Sequence, residues 1–136
     1  MTAIDDDIIA ALLTHAEAVR ERAYAPYSNF PVGAALLLED GSMAVGCNVE
    51  NASYPLGLCA ERSAVARAVA LGKRHFIAVA VVGRDSRTLW PCGGCRQVLS
   101  EFGDLWVVSL APSPLRWAKR KLSQLLPESF GEEDLT

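Results

Sequence analysis

Residues 31–49 read PVGAALLLEDGSMAVGCNV and contain two apolar runs separated by EDGS. The Asp40-Gly41 pair between the runs is a good signal for a hairpin turn, because it accommodates the positive φ angles that tight hairpins require. The apolar runs on either side, 31–38 and 43–49, are therefore predicted to be paired strands.

Helices and further strands are indicated on both sides of this hairpin. Before it, apolar residues from Ile4 to Val19 recur at helical spacing, with three aspartates at the positive end of the helix dipole. After it, the alanine-rich stretch from Cys59 to Leu71 predicts a second helix that ends at Gly72. Continuous apolar runs at 76–83 and 105–110 are typical of strands buried on both faces, and a short helix is predicted between them at 95–102.

This order of elements predicts an α/β fold, a three-layer α/β/α arrangement around a mixed sheet of about five strands. The fifth strand is expected at the sheet edge within 111–122, where two prolines weaken the strand signal. A short helix is expected around 123–127, and residues 130–136 are expected to form a surface tail. With 136 residues and neither repeats nor a linker, residues 1–136 are expected to form a single domain.

Composition and charge restrict the classes of function. A net charge of −3 argues against general attraction to nucleic acid and favours a small substrate. The N-terminus is acidic where a signal peptide is basic, and apolar stretches stay shorter than the roughly 18 residues of a membrane span. A cytoplasmic protein without a membrane partner is expected, in which the four cysteines are thiols, metal ligands or redox groups.

Three of these cysteines fall in two short motifs, LCAERS at 58–63 and WPCGGCRQ at 90–97. Cys92 and Cys95 are three residues apart at a predicted helix start, so their sulfurs project to one side beside unpaired backbone amides. Cys59 opens the alanine-rich helix and can supply a third thiolate. Three protein ligands leave one position of a tetrahedral zinc open for water, which is a catalytic arrangement. Gly93 and Gly94 are interpreted as letting the backbone approach the metal and its thiolates.

Two charged residues follow Cys59 in the first turn of the predicted helix. The Glu61 carboxylate is expected to reach the water on the zinc and to act as the proton shuttle. Three thiolates give zinc a net charge of about −1 and weaken it as a Lewis acid. Arg62 lies on the same helix side as Cys59, and we expect its guanidinium to donate hydrogen bonds to thiolate sulfur and restore zinc acidity.

Without further context, the cysteines also allow a redox pair or a structural four-cysteine zinc site that includes Cys47. Cys-x-Glu and Pro91 have no task in such a site, so this alternative is less favoured and Cys47 is interpreted as a buried thiol. His15 and His75 lack ligand spacing and are assigned no role.

CAE followed by PCGGC is similar to the zinc deaminase signature, in which an activated water attacks C4 of cytosine and a non-ligand glutamate moves the protons. More narrowly, the chain resembles the small cytidine deaminases that form homotetramers. The segments that carry this resemblance, in order, are SNFPVGAALL at 28–37, GCNVENASY at 46–54, CAERSA at 59–64, PCGGCRQVL at 91–99 and LLPESFGEEDL at 125–135.

The resemblance implies hydrolysis of cytidine and deoxycytidine to uridine and deoxyuridine with release of ammonia, as in pyrimidine salvage. It implies one Zn²⁺ per chain, held by Cys59, Cys92 and Cys95, and a homotetramer whose active sites are shared between subunits. The implied substrate-binding positions are Phe30 beside the base, Asn48 and Glu50 on the ribose hydroxyls, Ala52 and Tyr54 reaching a neighbouring subunit's site, Ala60, and Phe130 closing a pocket in another subunit.

The residues themselves give partial support to these roles. Asn48 and Glu50 alternate at a strand exit, so both point to one side, and an amide with a carboxylate suits sugar hydroxyls. An alanine-rich helix with hardly any polar face fits burial between subunits.

Two features depart from this pattern or suggest another function. Trp90 stands before Pro91 where the family usually has a small residue, which predicts an altered pocket shape. The cations Arg116, Lys119, Arg120 and Lys121 are interpreted as one polar face of an edge strand or short helix and not as a nucleic-acid site.

Two rival functions remain at this stage. One is a related deaminase of an antibiotic nucleoside such as blasticidin S, which shares the zinc motifs. The other is a non-enzymatic zinc or redox module.

Overall fold

The computed structural model describes residues 3–85 and 87–136, which form a five-stranded mixed sheet with helices on both faces. The strands lie in the order β2-β1-β3-β4-β5, and only β3 and β4 are parallel neighbours. Their bounds are β1 Gly33–Leu38, β2 Met43–Cys47, β3 Phe76–Val82, β4 Trp106–Leu110 and β5 Trp117–Lys121. The helices are α1 Asp6–Arg20, α2 Ala60–Ala70, α3 Gly93–Ser100 and α4 Leu122–Leu125, with short 3₁₀ turns at Tyr54–Leu56 and Glu132–Leu135. The three-layer α/β prediction is confirmed.

The strands bury side chains on both faces, as the apolar runs predict. In β1, Leu36 and Leu38 belong to the core beneath α2 and α3, whereas Leu37 belongs to the core beneath α1. Strand periodicity therefore divides one apolar run between two cores. The helix α1 begins as its aspartates indicate, because the Asp5 side chain accepts a hydrogen bond from the Ile8 amide at 2.9 Å.

Two glycines allow the helices to pack closely against the sheet. A Cβ on Gly33 would lie 2.0 Å from the Ala16 carbonyl oxygen of α1. On the opposite face, a Cβ on Gly46 would lie 2.3 Å from the Ala64 amide nitrogen of α2. Backbone atoms cannot rotate away as side chains can, so glycine at these positions sets how near each helix comes to the sheet.

Residues 111–122 do contain the fifth strand. β5 begins at Trp117, after both prolines of the stretch, and pairs antiparallel with β4. The interpretation of its cations as one polar face is wrong, because neighbouring residues of a strand point to opposite faces. The Lys119 and Lys121 ammonium groups lie 4.5 and 4.6 Å from the Trp106 ring centroid, whereas Arg120 Cζ lies 5.4 Å from the ring of Trp90 in the other layer.

The helix α2 is less completely covered than its composition suggests. Ala64 and Ala68 are buried against the sheet, but Ala66 and Ala70 are exposed in the single chain. Within residues 3–85 and 87–136, none of the helices has the length and apolar character needed to cross a membrane.

Candidate zinc and substrate site

The sulfurs of Cys59, Cys92 and Cys95 lie within 4.8 Å of one another. Two helix N-termini bring them together, because Cys59 is the N-cap of α2 and Cys92 is the N-cap of α3. Cys95 lies one turn further along α3 and is buried, whereas Cys92 is exposed. The predicted cluster of three cysteines therefore forms, with its members held to different degrees by burial.

The environment acts differently on the three thiols. Hydrogen bonds from the Cys95 and Gly94 backbone amides lower the pKa of Cys92, as expected for a cysteine at a helix N-terminus. Burial, together with the neighbouring Glu61 charge, raises the pKa of both Cys59 and Cys95. One thiolate is thus stabilised by the protein itself, and the other two gain most from a bound cation.

The donor set fits a zinc ion. Three sulfurs at about 2.3 Å from a tetrahedral zinc are about 3.8 Å apart, so a cluster already within 4.8 Å needs only a small closure to bind the metal. The group has three ligand atoms within the described part of the chain, which corresponds to an open catalytic site and not to a closed structural one. Cys47 lies in β2 as a half-buried free thiol outside this group.

Glu61 lies in the first turn of α2, two residues after Cys59, and is only 5% exposed. Burial raises the pKa of its carboxyl, and the neighbouring Arg62 charge acts in the opposite direction. The negative charge of Glu61 contributes to raising the pKa of Cys59 and of Cys95. A buried carboxyl beside three sulfurs can exchange protons with a molecule bound there.

Arg62 takes a different hydrogen-bond partner from the one expected. Its Nη2 donates to the Gly57 carbonyl oxygen at 2.9 Å, and its buried Nε has no acceptor within the described residues. Its charge nevertheless acts on the cluster, because Arg62 lowers the pKa of Cys59. The predicted bond to a thiolate sulfur stays a prediction, with Nε as an available donor.

Glu50 organises the loop that contains Tyr27 and Ser28. One carboxylate oxygen accepts hydrogen bonds from the Tyr27 and Ser28 amides at 2.9 and 3.1 Å, and the other accepts one from the Ser28 hydroxyl. The Ser28 hydroxyl bond is the main cause that holds the pKa of Glu50 below its usual range. The Ser28 hydroxyl also accepts a bond from the Phe30 amide at 3.0 Å, so it connects Glu50 to the residue predicted to lie beside the base.

Asn48 holds the other end of the same loop. Its Oδ1 accepts a hydrogen bond from the Val32 amide at 2.9 Å, and its Nδ2 donates one to the Phe30 carbonyl oxygen at 3.0 Å. The Phe30 ring lies against Gly83 and 5.4 Å from Arg84 Cζ. The loop that contains Phe30 is therefore fixed from both sides of the residue.

A cleft of about 280 Å³ opens beside this loop. Its described lining consists of Tyr27, Ser28, Glu50, Asn51, Tyr54 and Gly57. The Tyr27 and Tyr54 rings are tilted against each other with centroids 6.0 Å apart. Glu50 and Tyr54 thus share one cleft, whereas Ala52 lies on the exposed surface and Ala60 is buried at the start of α2.

Backbone pairing connects the cleft to the cysteines. Val49 and Leu58 exchange two hydrogen bonds of 2.9 and 2.8 Å, so Glu50 and Cys59 each flank one member of the same pair. Gly57 lines the cleft and also accepts the bond from Arg62. The cleft and the cysteine cluster, which contain residues from the two predicted sets, therefore lie next to each other in the fold.

Other predicted positions lie further away or have a different explanation. The Phe130 side chain is 57% exposed, and its carbonyl oxygen accepts a hydrogen bond from Gln97 Nε2 of α3 at 3.0 Å. A Cβ on Gly93 or Gly94 would meet nothing within 4 Å, so packing within the chain does not require glycine there. The Trp90 ring packs against the core beneath α2 and α3 and faces Arg120, which accommodates its bulk away from the described lining of the cleft.

Comparison with known proteins agrees with this geometry. Residues 7–111 match the family described as the cytidine and deoxycytidylate deaminase zinc-binding region. The chain is similar to a cytidine deaminase of Sporosarcina psychrophila, with 44% identity over 129 residues that cover 94% of this chain and 95% of the relative. It is also similar to a cytidine deaminase of Mycobacterium tuberculosis, with 48% identity over 113 residues that cover 83% and 82% of the two chains.

The fold agrees with solved structures as well. A crystal structure of cytidine deaminase from Burkholderia pseudomallei superposes with a TM-score of 0.82 at 50% identity, covering 89% of this chain and 98% of the other. A cytidine deaminase from Mycobacterium tuberculosis gives a TM-score of 0.81 at 42% identity, covering 95% and 99%.

Proposed function

The chain belongs to the cytidine and deoxycytidylate deaminase zinc-binding family, and we propose that it hydrolyses cytidine and deoxycytidine to uridine and deoxyuridine with release of ammonia. The observation that carries this proposal is the group of three cysteine sulfurs within 4.8 Å, faced by the buried Glu61. A structural zinc or redox module has no use for that glutamate.

The overall reaction determines what Glu61 must do. The bond between C4 and the amino nitrogen breaks, and a bond from C4 to the oxygen of water forms. Of the two protons of water, one ends on the ring nitrogen N3 of the product and the other leaves with ammonia. A single carboxyl beside C4 can accept and return both protons, as the glutamate of zinc deaminases does.

Zinc bound by the three cysteines would supply the Lewis acidity that activates the water. The chain would hold the metal with Cys59, Cys92 and Cys95 and offset the negative charge of three thiolates from several directions. The backbone amides of Gly94 and Cys95 donate hydrogen bonds to the Cys92 sulfur. The positive charge of Arg62 acts on Cys59, and its buried Nε is a further donor without an acceptor among the described residues. With zinc bound, these contributions would offset part of the negative charge that the thiolates place on the metal.

For the nucleoside, we propose that Phe30 contacts the base and that Asn48 and Glu50 bind the sugar hydroxyls. A carboxylate accepts about four hydrogen bonds, and Glu50 uses three in the loop, which leaves capacity for one hydroxyl. Asn48 uses one amide N–H on the Phe30 carbonyl oxygen and keeps the second as a donor. The same two residues would then position the loop and the sugar together.

We further propose that the enzyme is a homotetramer with shared active sites. In the single chain, the side chains of Tyr54 and Phe130 are 76% and 57% exposed. Large aromatic side chains are usually more buried than this, so both are available for contact with another subunit. Ala52 and Tyr54 would reach a neighbouring subunit's site, and Phe130 would close another's, with Ala60 contributing to the substrate pocket. We place the single catalytic domain, residues 1–136, in the cytoplasm and in pyrimidine salvage, since reduced cysteines are normal in that compartment.

The proposal is tested by following cytidine loss spectrophotometrically with purified, zinc-loaded protein and identifying uridine and ammonia as products. Turnover of cytidine that an excess of blasticidin S leaves unchanged would support the assignment to plain nucleosides. Folded protein with one zinc per chain and no cytidine turnover would contradict it. Native mass spectrometry of the same sample reports the number of subunits.

Glu61→Gln tests the mechanism separately from the substrate. The variant keeps the shape of the side chain but cannot move protons, so we expect retained zinc and turnover reduced by at least about 10²-fold. Zinc content and the melting temperature of the variant, measured beside the parent, serve as controls. Full activity in Glu61→Gln would refute the proposed proton transfer.

A further inference from the structure

Cys92 is the most exposed of the three cysteines, so burial does little to fix its sulfur. It is the N-cap of α3, where the backbone leaves the preceding loop and enters the helix. The peptide units on either side of Cys92 therefore determine where its sulfur points. The hydrogen bonds made by those two peptide units therefore determine how firmly the Cys92 sulfur is positioned for metal binding.

Arg96 holds both of them. Its backbone amide donates to the Cys92 carbonyl oxygen at 2.9 Å as part of the first helical turn. Its side-chain Nε donates to the carbonyl oxygen of Pro91 at 2.7 Å, which belongs to the peptide bond that leads into Cys92. A single residue thus binds the carbonyl groups before and after the exposed ligand.

The guanidinium also attaches this loop to another element. Nη1 of Arg96 donates to the carbonyl oxygen of Leu125 at 2.7 Å. Leu125 is the last residue of α4, where carbonyl groups lack helical partners and attract cations. The planar guanidinium can bridge two carbonyls in fixed directions, which a lysine ammonium on a flexible stem cannot do as well.

We propose that Arg96 is a positioning residue of the metal site, which fixes the Cys92 loop by tying it to the end of α4. Its hydrogen bonds go to the backbone carbonyl groups of Pro91, Cys92 and Leu125, so it would act on the metal site through the backbone on both sides of Cys92. The inference rests on the zinc site of the proposed function, but it assigns a role to a residue that lies outside the motif of ligands and glutamate. Partners that orient metal ligands typically change metal affinity by about 10–100-fold when they are removed.

The test is the zinc affinity of the parent and of Arg96→Ala, measured by competition with a chromogenic chelator on protein shown to be folded by circular dichroism. We expect the variant to bind zinc about 10–100-fold more weakly. A purely structural role would lower the melting temperatures of the zinc-free and zinc-loaded forms equally and leave the affinity unchanged. Affinity within about twofold of the parent would therefore overturn the proposal.

Two further variants make the test specific. Arg96→Lys keeps the charge but replaces the planar bridge, and we expect an affinity between those of the parent and Arg96→Ala. If Arg96→Ala does not fold, an Arg96→Lys affinity equal to that of the parent refutes the proposal. Gln97→Ala is the matched control, since Gln97 is the next residue of α3 and binds the Phe130 carbonyl oxygen instead of the Cys92 loop. Equal weakening in Gln97→Ala would contradict a specific role for Arg96.

The outcome also separates this inference from the proposed function. A parent protein that binds no zinc would refute the metal site itself. A parent that binds zinc and deaminates cytidine, together with an Arg96→Ala variant of equal zinc affinity, would refute only the role of Arg96.

Discussion

Gly46→Ala should lower both the stability of the protein and its turnover, because the added methyl group would collide with the backbone of α2. Gly46 lies in β2 beneath α2, and an added Cβ would lie 2.3 Å from the Ala64 amide nitrogen, 2.7 Å from the Ala60 carbonyl oxygen and 2.9 Å from the Ala64 Cα. All three atoms belong to the helix backbone. The new methyl group therefore cannot be accommodated by a side-chain rotation, and the helix or the strand must move.

The size of the effect follows from these distances. Ordinary contact begins near 3.4 Å, so the 2.3 Å approach requires local separation of about 1 Å. Overpacking of this kind typically costs about 1–3 kcal/mol, which corresponds to roughly 4–12 °C in melting temperature for a domain of this size. Cys59 and Glu61 flank Ala60 at the pushed end of α2, and displacement of catalytic groups by about 1 Å can reduce turnover by about 10²-fold.

The assay compares melting temperature, zinc content and cytidine turnover of Gly46→Ala with those of the parent at saturating zinc. Gly94→Ala is the matched stability control, because a Cβ at that position meets nothing within 4 Å. We expect its melting temperature to stay equal or rise slightly, since alanine is a better helix residue than glycine. A Gly46→Ala protein that melts within about 1 °C of the parent and keeps full turnover would refute the packing argument.

Three further substitutions address individual side chains. Arg62→Ala should keep its fold and zinc but lose rate through weaker zinc acidity, and a pH–rate profile equal to that of the parent would contradict this role. Ser28→Ala removes a hydroxyl that orients Glu50, so the KM for cytidine should rise severalfold while the KM for 2′,3′-dideoxycytidine changes little; equal changes for both substrates would argue against it. The Lys73 ammonium holds the pKa of Asp40 well below its usual range, so this pair contributes stability above about pH 4 that is lost as the pH falls through the folded-state pKa. Asp40→Asn should therefore melt below the parent at pH 7, with a difference that shrinks in acid, as thermal unfolding across pH would reveal.

Local sequence signals were sufficient for the sheet and for the metal ligands. The apolar runs predicted β1 to β4, each of which carries buried or half-buried side chains, whereas β5, with the sequence WAKRK, was expected only from its place within 111–122. Asp40-Gly41 predicted the hairpin, and Gly41 adopts the positive φ of 87° that such a turn requires. The placement of Cys59 and Cys92 at helix starts also followed from neighbouring residues. The position of a strand, a tight turn or a helix start depends mainly on residues that are close in sequence, so a local pattern of residues can predict it.

Features that depend on distant contacts could not be predicted in this way. Ser28 and Glu50 are separated by 22 residues, and Arg96 and Leu125 by 29, so neither pair has a local signature. Arg62 is a different case, because its Nη2 binds the carbonyl oxygen of Gly57, which is close in sequence. The helical spacing of Cys59 and Arg62 does not indicate where the loop before α2 places that oxygen.

The three cysteines of the metal site are positioned by scaffold contacts from several directions. Gly46 lets α2 pack closely enough on the sheet to fix Cys59, and Cys95 is fixed by its own burial in the first turn of α3. Cys92 lacks such burial and depends on hydrogen bonds to the backbone around it. These constraints come from sheet, helix and loop contacts around the cysteines, so the scaffold contributes to the ligand geometry together with the metal-binding side chains themselves.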